Sequence, residues 1–480
     1  MSKPKRLHPI ASVLSAGKGL KKLLFPLIAL IISGGSEGKI SLLITLAISL
    51  VAVIISLIIG VISWLRYTYR FEEDELRIEY GVFVRQKRYI PFERIQSINL
   101  TEGLLQQMFG LVKVQIETAG GGEEAEAVLS AVSKDDAKLI QQYVTVAKTG
   151  ENHELKDEPE GQIVFSISVP ELMILSLTSG GVGVVISAAI AFLSQLDDFI
   201  PYKKIFGDLE KWAVHNIIAL AFLVFIGFFL AWVISLAVTM LKYANFNVIK
   251  TEKDLIISQG LLEKKQITIP LKRIQAIRIS ENIIRQMLGY ATVSIVSAGG
   301  STANEEESKV ILLPIVRVKE IASLLKEPLP DYQLEPALSS APKRARRRYI
   351  LRIWYIVLPI VAAAIFFFQT WGFFSLIILV VGTWWAILKY NDAGWSLEQQ
   401  QLCLRSRTIN RTTVFMPRKR IQSLKLRESY FQQRQGLGTL EAFVKSGAGD
   451  SWIAVVDLER SDIQKVYQWY SRERQRELSS

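Results

Sequence analysis

The sequence has very few residues of the two types that most often build metal sites or nucleophilic active sites. Of its 480 residues, one is cysteine and three are histidine. The single Cys403 excludes an intrachain disulfide framework and a metal site built only from the cysteines of one chain. His8, His153 and His215 lie in the N-terminal tail, in a polar linker and at the end of an apolar run. A histidine site common to the repeated blocks described below is therefore excluded.

Charged residues are missing from several long stretches, although the chain as a whole is basic. Half of the residues are hydrophobic (50%), the mean hydropathy is +0.26 and the formal net charge is +12. A soluble enzyme would be unusually apolar and unusually basic with these values, whereas a membrane protein explains both. A helix that spans a hydrocarbon core of about 30 Å needs about 20 mostly uncharged residues, so the apolar runs predict transmembrane helices.

Six apolar runs are candidates for such helices, and they group into three hairpins. The predicted pairs are 20–35 with 40–64, 171–195 with 214–241, and 349–368 with 371–388. The first run is the shortest and contains Pro26. A retained helix is favoured there over a signal peptide, because a long span follows and a small-residue cleavage pattern is missing. A polar block follows each hairpin.

Basic residues in the short flanks of these runs predict the orientation of the chain. They are Lys18, Lys21 and Lys22 before the first span, Arg66 and Arg70 after the second, and the run KRARRR (343–348) before the fifth. An even number of crossings places the N-terminus and all three polar blocks on one side, which the positive-inside rule identifies as the cytoplasm. On this topology, Cys403 is expected to resist membrane-impermeant thiol reagents in intact cells.

One short motif occurs three times, once in each polar block. It reads IPFERIQSINLTE at 90–102, IPLKRIQAIRISE at 269–281 and MPRKRIQSLKLRE at 416–428. The same offsets, 179 and 147 residues, align Gln107, Gln286 and Gln433 and two glycines further along each block. Ungapped agreement over this length indicates internal duplication. The chain is therefore predicted to be a triplicated unit of one hairpin and one domain, and we call the common segment the repeat motif.

Each polar block has the pattern of a small, mostly antiparallel β domain. DELRIEYGVFVRQKRYIPF alternates apolar and polar residues on both sides of Gly81, and EKDLIISQGLLEKKQITIP does so around Gly260. Such alternation around a glycine is typical of two strands joined by a turn. The repeat motif adds a third strand, entered through Pro91, Pro270 or Pro417, since proline favours strand starts and edges. A short helical turn, further strands and a final amphipathic helix follow.

Together these features resemble the bacterial pleckstrin-homology-like (PH-like) membrane family. The resemblance rests on the two-span hairpins, the pattern IPxxRIQSI, a QxxxG turn, an alanine-glycine-glycine turn and the final helix; three such units in one chain resemble its YdbT-like members. It covers nearly the whole chain apart from the linkers. It implies PH-like folds at the cytosolic face of the bacterial plasma membrane and no known catalysis, and it leaves the ligand open. In the third block, Arg418 and Lys419 precede RIQS, which departs from the pattern.

The expected fold class is an α+β membrane protein with six transmembrane helices in three hairpins, each followed by a small antiparallel β PH-like domain with a C-terminal helix. The predicted segments are an N-terminal tail and first hairpin (1–65), domain 1 (66–148), a linker (149–165), the second hairpin (166–241), domain 2 (242–327), a basic linker (328–348), the third hairpin (349–388) and domain 3 (389–480).

Basic and amide side chains in the repeat motifs are the candidate surface for a ligand or partner. They are Arg94, Gln96, Arg273, Gln275, Arg418, Lys419, Arg420 and Gln422. A guanidinium matches phosphate or carboxylate through its planar set of donors. The alternative, which we favour, is that each motif arginine pairs with the glutamate at the end of its own motif. These glutamates, Glu102, Glu281 and Glu428, are the carboxylates aligned in all three copies.

Small residues in the third apolar run are candidates for helix packing. Ser179, Gly183 and Ser187 are spaced by four residues and would line one face of a continuous helix. Small side chains let a neighbouring helix approach closely. A packing role is favoured over a substrate path.

The uneven charge of the domains bears on their partners. Residues 66–150, 242–332 and 389–480 carry net charges of −2, +3 and +6. Anionic lipid attracts each base near its surface by about 1 kcal/mol, so domain 3 is the best candidate for contact with phospholipid headgroups. The bilayer is one expected partner and a smaller PH-like membrane protein of the same family is another; nucleic acid and cofactors are not expected. The predicted function is a non-enzymatic membrane scaffold, and the alternative is a transporter or lipid-moving protein whose domains gate the hairpins.

Overall fold

The computed structural model describes residues 4–17, 19, 39–72, 74–118, 126–149, 161–181, 183, 186–187, 217–298, 309–446 and 449–471. The predicted first span, 20–35, lies outside these residues, as does most of the predicted third span beyond Ser187.

The helices differ widely in length, from single turns to helices long enough to cross a membrane. Besides helical residues 10–17, they are α1 (Lys39–Arg66), α2 (Leu104–Met108), α3 (Lys134–Thr149), α4 (Val169–Thr178), α5 (Ile217–Tyr243), α6 (Ile283–Leu288), α7 (Ile321–Lys326), α8 (Ala345–Phe368), α9 (Leu376–Asp392), α10 (Tyr430–Gln433) and α11 (Arg460–Tyr470).

The strands follow the threefold repeat. The N-terminal tail and domain 1 hold β1 (Lys5–Arg6), β2 (Thr68–Phe71), β3 (Glu75–Tyr80), β4 (Gln86–Pro91), β5 (Ile95–Glu102), β6 (Leu111–Thr118) and β7 (Ala127–Ser133). Domain 2 and the segment before it hold β8 (Gln162–Ser166), β9 (Asn247–Lys250), β10 (Asp254–Gln259), β11 (Lys264–Pro270), β12 (Ile274–Glu281), β13 (Tyr290–Ser297) and β14 (Lys309–Arg317). Domain 3 and its linker hold β15 (Ser339–Ser340), β16 (Gly394–Glu398), β17 (Gln401–Arg407), β18 (Arg411–Pro417), β19 (Ile421–Arg427), β20 (Leu437–Ser446) and β21 (Gly449–Glu459).

The predicted hairpins around Gly81 and Gly260 are confirmed. The strand pairs are β3 with β4 and β10 with β11, and the two glycines have φ angles of +118° and +100°. A Cβ at Gly81 would lie 1.9 Å from the carbonyl oxygen of Val84, and one at Gly260 would lie 2.0 Å from that of Glu263. Only glycine fits these turns, because it has no Cβ and tolerates positive φ.

Neighbouring domains share their β-sheets, an arrangement that the sequence pattern does not predict. One seven-stranded sheet has the order β7-β6-β5-β11-β10-β9-β8, and a second has the order β14-β13-β12-β18-β17-β16-β15. The strand of the repeat motif in domain 1, β5, therefore pairs with β11 of domain 2; likewise β12 of domain 2 pairs with β18 of domain 3. We call these pairings junction 1 and junction 2.

The hydrophobic cores of domains 2 and 3 are shared in the same way. Cys403 and Phe415 of domain 3 belong to the core of domain 2, and Ala276 and Val296 of domain 2 belong to the core of domain 3. Cys403 is 2% exposed, and burial raises the pKa of its thiol to about 12. Its resistance to thiol reagents is thus expected on either side of a membrane, so this cysteine does not report the topology.

Three apolar stretches of the described residues are long enough to cross a membrane. They are Ala47–Arg66, Val224–Tyr243 and Ala345–Asp392. The last is a helical hairpin, α8 and α9, joined by a 3₁₀ turn over Gln369–Ser375, and it matches the predicted spans 349–368 and 371–388.

The predicted continuous helix over 171–195 is interrupted. α4 begins at Val169 behind a capping box of Ser168 and Glu171, ends at Thr178 and gives way to extended backbone at Ser179. Glycine weakens a helix interior by roughly 1 kcal/mol relative to alanine, and Gly180 and Gly181 follow directly.

The helix at the N-terminus begins at Ile10, well before the start predicted for the first span at residue 20. It packs against α1, where a Cβ on Gly60 would lie 2.9 Å from the Cβ of Ala16 and 3.1 Å from the carbonyl oxygen of Ser12. Apolarity alone does not mark this early start, since polar residues lie between Ile10 and the predicted run.

Candidate functional site: the domain junctions and the membrane-facing rim

One end of each domain lies beside the end of an apolar helix. In domain 1, Arg66 Nη1 donates to the carbonyl oxygen of Val82 at 2.5 Å. In domain 2, the backbone N–H of Leu261 donates to Leu241 at 3.0 Å. In domain 3, Arg405 Nε donates to the carbonyl oxygen of Asp392 at 3.2 Å. We call this end the membrane end of a domain and the opposite one its distal end.

The motif arginines lie at the distal end. Arg94, Arg273 and Arg420 each end a 3₁₀ turn that follows β4, β11 or β18. β11 has seven residues, and at roughly 3.3 Å per residue its two ends are roughly 20 Å apart. The three arginines are therefore remote from the bilayer surface next to the apolar helices.

Two motif arginines contact the preceding domain rather than the glutamate of their own motif. Arg273 Nη1 lies 3.8 Å from Glu117 Oε2 and 3.5 Å from Ser97 Oγ, and both partners belong to domain 1. Burial lowers the pKa of Arg273, and the charge of Glu117 opposes that shift. Arg420 Nη2 donates to the carbonyl oxygen of Lys272 in domain 2 at 2.7 Å. The favoured pairing within one motif is thus wrong for both arginines, because the junctions bring closer acceptors.

The other candidates of the repeat motifs have different environments. Gln275 is buried, and its Nε2 donates to the carbonyl oxygen of Arg273 at 3.0 Å. Gln96 is half-buried, whereas Arg94 and Gln422 are exposed. The structure therefore does not bring the candidates together into one surface.

Arg418 and Lys419, at the distal end of domain 3, contact the C-terminal residues and the linker before the third hairpin. The guanidinium of Arg418 lies 5.6 Å from the ring centroid of Trp469, and Arg418 Nη2 donates to the carbonyl oxygen of Ser471 at 3.4 Å. Lys419 Nζ lies 3.0 Å from Asp331 Oδ2 in the basic linker.

The aligned glutamates lie at the membrane end of the junctions. Glu102 is opposite Lys264 in junction 1, and Glu281 is opposite Arg411 in junction 2. Arg411 binds Glu281 through two hydrogen bonds, Nε to Oε1 at 2.9 Å and Nη2 to Oε2 at 2.5 Å. Burial, the largest effect, lowers the pKa of Arg411, but the hydrogen bonds and negative charges of Glu281 and Asp392 together outweigh burial and the pKa is raised.

A buried network joins the last transmembrane helix to junction 2. The side chain of Arg407 is fully buried and donates to Asp392, the last residue of α9, and to Gln286 of α6. At junction 1, the aligned Gln107 donates to the carbonyl oxygen of Leu262 at 2.8 Å. Gln107 and Gln286 therefore link α2 and α6 to the next domain.

Asp457 anchors the start of α8 to domain 3. Its carboxylate is 0% exposed and lies 3.0 Å from Arg348 Nε and 2.8 Å from Arg352 Nη2. Gln432 Nε2 donates to the same carboxylate at 2.8 Å. Sequence reasoning explained Arg348, in the run KRARRR, by topology alone and missed the acceptor of both arginines; a lone aspartate in an apolar strand, AVVDLE, is the signal that was available.

The membrane ends of the domains expose apolar side chains. We call this surface the rim, and it comprises the hairpin tips and the short helices α2, α6 and α10. Its exposed apolar residues include Phe83 (90%), Met108 (78%), Met287 (84%), Ile409 (75%) and Phe431 (68%). Exposed bases lie at the ends of the apolar helices, at Arg66, Lys242, Arg346 and Arg347, and at the end of α10, at Arg434.

The predicted packing residues have unequal surroundings. Ser179 Oγ lies 3.2 Å from Thr239 Oγ1 of α5, whereas Ser187 is exposed and a Cβ on Gly183 would meet no atom within 4 Å. They do not share one helix face, since the helix stops before Ser179. Close packing instead uses Gly181, whose Cβ would lie 2.4 Å from Ser235 Oγ.

Metal ligands do not cluster in the part of the chain that the structure describes: no group of three or more histidine, cysteine, aspartate or glutamate side chains there is arranged to hold an ion.

Comparison with known proteins agrees with the repeat and with the fold. The sequence matches the family described as "Bacterial PH domain" three times, over residues 27–148, 200–329 and 355–474. The chain belongs to the bacterial PH domain family. It is 42% identical to the UPF0699 transmembrane protein YdbT of Bacillus subtilis (strain 168), over 99% of both chains. The predicted family, the internal repeat and the membrane character of this bacterial PH domain protein are therefore confirmed.

Proposed function

We propose that this bacterial PH domain protein is a non-enzymatic, multi-pass membrane scaffold whose three fused domains bind anionic lipid headgroups along the rim. The rim itself carries the proposal, because it combines exposed apolar side chains with bases next to the apolar helices. Apolar burial contributes roughly 25 cal/mol per Å², and each base near an anionic surface contributes about 1 kcal/mol.

Strand pairing supports a membrane crossing between domain 1 and α5, in addition to α5 itself. Because β5 pairs with β11, domains 1 and 2 stand on the same side of the membrane. α5 enters domain 2 from the membrane, so its first residue, Ile217, stands on the opposite side. An odd number of crossings between domain 1 and Ile217 follows. The predicted span 171–195 accounts for one.

The same reasoning supports a crossing before α1. β1 pairs with β2, and Lys5 Nζ lies 2.5 Å from Asp136 Oδ1, so the N-terminal tail stands on the side of domain 1. α1 returns to that side at Arg66. These positions favour one crossing before Lys39, which the predicted span 20–35 would supply. With the α8–α9 hairpin, this gives six spans, and the basic flanks favour a cytoplasmic location for the domains.

Charged residues in the apolar helices support a scaffold over a transporter. Within α1, α5, α8 and α9, the acidic and basic residues lie close to the helix ends. Coupled transport usually uses ionisable groups at membrane depth.

The stability of the full chain in nanodiscs tests the rim. We expect a higher unfolding temperature in anionic phosphatidylglycerol than in neutral phosphatidylcholine, with the difference reduced by high salt. In the double variant Arg346→Gln and Arg347→Gln, the extra stabilisation by anionic over neutral lipid should fall by about 2 kcal/mol, at about 1 kcal/mol for each base. The difference in unfolding temperature should shrink accordingly.

Arg418→Gln with Lys419→Gln is the matched control, because it also removes two neighbouring bases but at the distal end of domain 3. It should retain the lipid preference. An equal loss in both variants, or equal stability of the unaltered protein in both lipids, would contradict lipid binding at the rim.

A further inference from the structure

Two of the strands that lie at the edge of a sheet, β4 and β19, differ from their counterparts in the repeat. Among the described residues, β4 ends the sheet β1-β2-β3-β4, and β19 ends the sheet β19-β20-β21. An outermost strand offers unpaired backbone N–H and C=O groups to another strand. The repeat counterparts of β4 and β19 are each paired with a strand on both sides, whereas β4 and β19 are paired on one side only in the part of the chain that the structure describes.

The repeat shows which partner each edge accepts. β4 aligns with β11 and β18, which pair with β5 and β12 of the preceding domain. β19 aligns with β5 and β12, which pair with β11 and β18 of the following domain. β4 therefore corresponds to the junction strand of the following domain, and β19 corresponds to the junction strand of the preceding domain.

Side-chain exposure agrees with an incomplete junction. In β12, Ala276 and Ile279 are buried, whereas in β19 their counterparts Ser423 and Leu426 are exposed. In β18, Val414 is buried, whereas its counterpart in β4, Arg88, is exposed.

We propose that β19 of one copy of this chain pairs antiparallel with β4 of a second copy in the same membrane, in the register of junctions 1 and 2. This register places Arg427 of β19 opposite Gln86 of β4, as Thr101 is opposite Lys265 and Ser280 is opposite Thr412. The proposal goes beyond lipid binding and does not depend on it.

Charge complementarity favours a second copy as the occupant. Each existing junction places the last residue of a repeat motif, Glu102 or Glu281, opposite a base at the start of the next strand, Lys264 or Arg411. The same register places Glu428 opposite Arg85, which aligns with both of those bases. Opposite charges across a strand pair stabilise it by roughly 0.2–1 kcal/mol.

The membrane end of domain 3 also keeps the glutamine used at the other junctions. Gln107 donates to Leu262 and Gln286 accepts from Arg407, each in the following domain. Gln433 aligns with both and is exposed. In the proposed pairing it would lie beside the hairpin tip at Phe83 of the second copy.

The contact that Tyr470 makes with the start of β19 does not cover residues 424–428, the segment that is proposed to pair. Tyr470 Oη donates to the carbonyl oxygen of Gln422 at 3.0 Å, near the distal start of the strand. Junction 2 uses the counterparts of residues 424–428, toward the membrane end. A head-to-tail pairing of this kind keeps both copies in one membrane orientation and builds a ring or an open row of copies.

Disulfide formation between two differently tagged full-length chains tests the pairing in membranes. One chain carries Gln86→Cys and the other Arg427→Cys; Cys403 is retained because it is buried. Facing residues of antiparallel strands have Cα atoms about 4.5–5.5 Å apart, within the disulfide range of about 4.4–6.8 Å. We expect a covalent dimer with both tags after mild oxidation, and a ladder of multimers when one chain carries both cysteines.

The matched control replaces Arg427→Cys by Lys425→Cys, which is on the same face of β19 but two residues out of register. Diagonal neighbours are about 7–8 Å apart, so this pair should give at most a tenth of the product. Equal linkage by both pairs, linkage between two Arg427→Cys chains, or the absence of linked dimer in folded protein would overturn the proposal. Chains with unchanged unfolding temperatures establish that the variants are folded.

Discussion

Asp457 is a charged residue at a position that is apolar in the other two domains. Its counterparts, two residues before the end of the last strand, are Ala131 and Ile315. Its φ angle is +59°, a conformation that aspartate tolerates better than most residues. Burial of a carboxylate is favourable only with close partners, and Arg348 and Arg352 of α8 supply them. This residue therefore fixes the transmembrane hairpin to domain 3.

Replacing Asp457 should destabilise domain 3 strongly. Removing one member of a buried ion pair costs about 3–5 kcal/mol, because the other charge is left unpaired. We expect Asp457→Ala to reduce the free energy of unfolding by about that amount in detergent, measured by chemical denaturation. Asp457→Asn should lose less, since its amide oxygen still accepts one hydrogen bond. A change below 1 kcal/mol for Asp457→Ala would refute the anchoring role.

The motif arginines provide a comparison between two aligned positions. Arg273→Gln should destabilise the protein by about 1–3 kcal/mol, because the buried Glu117 loses its cation. Arg94→Gln should change stability by less than about 0.5 kcal/mol, since Arg94 is exposed. Equal effects in chemical denaturation would show that Arg273 does not act through junction 1.

At the scale of elements, helix packing depends on small residues on α1. A side chain at Gly60 would collide with the backbone of the helix at residues 10–17, because its Cβ would lie 3.0 Å from the backbone nitrogen of Ala16. Close backbone approach is a common basis of helix association in membranes.

Gly60→Leu should therefore displace the N-terminal helix, whereas Gly227→Leu should be tolerated. A Cβ on Gly227 in α5 would meet no atom of the described residues within 4 Å, so the second variant is a matched control in another apolar helix. We expect Gly60→Leu to lower stability by about 1–3 kcal/mol, as for other overpacked sites, and to expose the tail to protease. Equal protease resistance of both variants would argue against this packing.

The strands of each domain could be predicted from the sequence, but their partners across domains could not. Alternation in segments such as β10 and β11 reports which face is buried, and the structure confirms those strands. Alternation does not report which strand lies along an open edge. Junction 1 pairs strands whose sequence separation is large, and local pattern holds no information on such a pairing.

The candidate site was predicted in part for the same reason. The recurrence of Glu102, Glu281 and Glu428 was visible, and an ion pair with an arginine is confirmed for Glu281, which pairs with Arg411, and for Glu428, which pairs with Arg460 of its own domain. That Arg411 belongs to the next domain depends on the junction. The motif arginines are candidates for a ligand or partner surface because the repeat marks them, whereas their distance from the apolar helices follows only from the direction of the strands.

At the scale of the whole molecule, the junctions make the three domains one β structure that is tied to the membrane at several points. Gln107, Arg407 and Asp457 each connect a domain to a neighbouring domain or to a transmembrane helix. Movement of one hairpin should therefore be transmitted to adjacent domains, as expected for a scaffold rather than for independent binding modules.

The six-span topology predicts opposite labelling of two introduced cysteines in intact cells. Asp198→Cys, between the predicted third and fourth spans, should react with a membrane-impermeant maleimide. Ser423→Cys, exposed on β19, should react only after permeabilisation. Labelling of Ser423→Cys in sealed cells would reverse the proposed orientation, and protection of both sites would contradict the number of crossings.

The central claim is that neighbouring domains share their sheets, and a disulfide across junction 1 tests it most directly. Thr101 is opposite Lys265, so the full chain with Thr101→Cys and Lys265→Cys should form an intrachain disulfide on mild oxidation, detected by mass spectrometry of the linked peptides. Asn99→Cys with Lys265→Cys, two residues out of register, should leave both thiols free. Free thiols in the first variant, or equal linkage in both, would contradict the shared sheet.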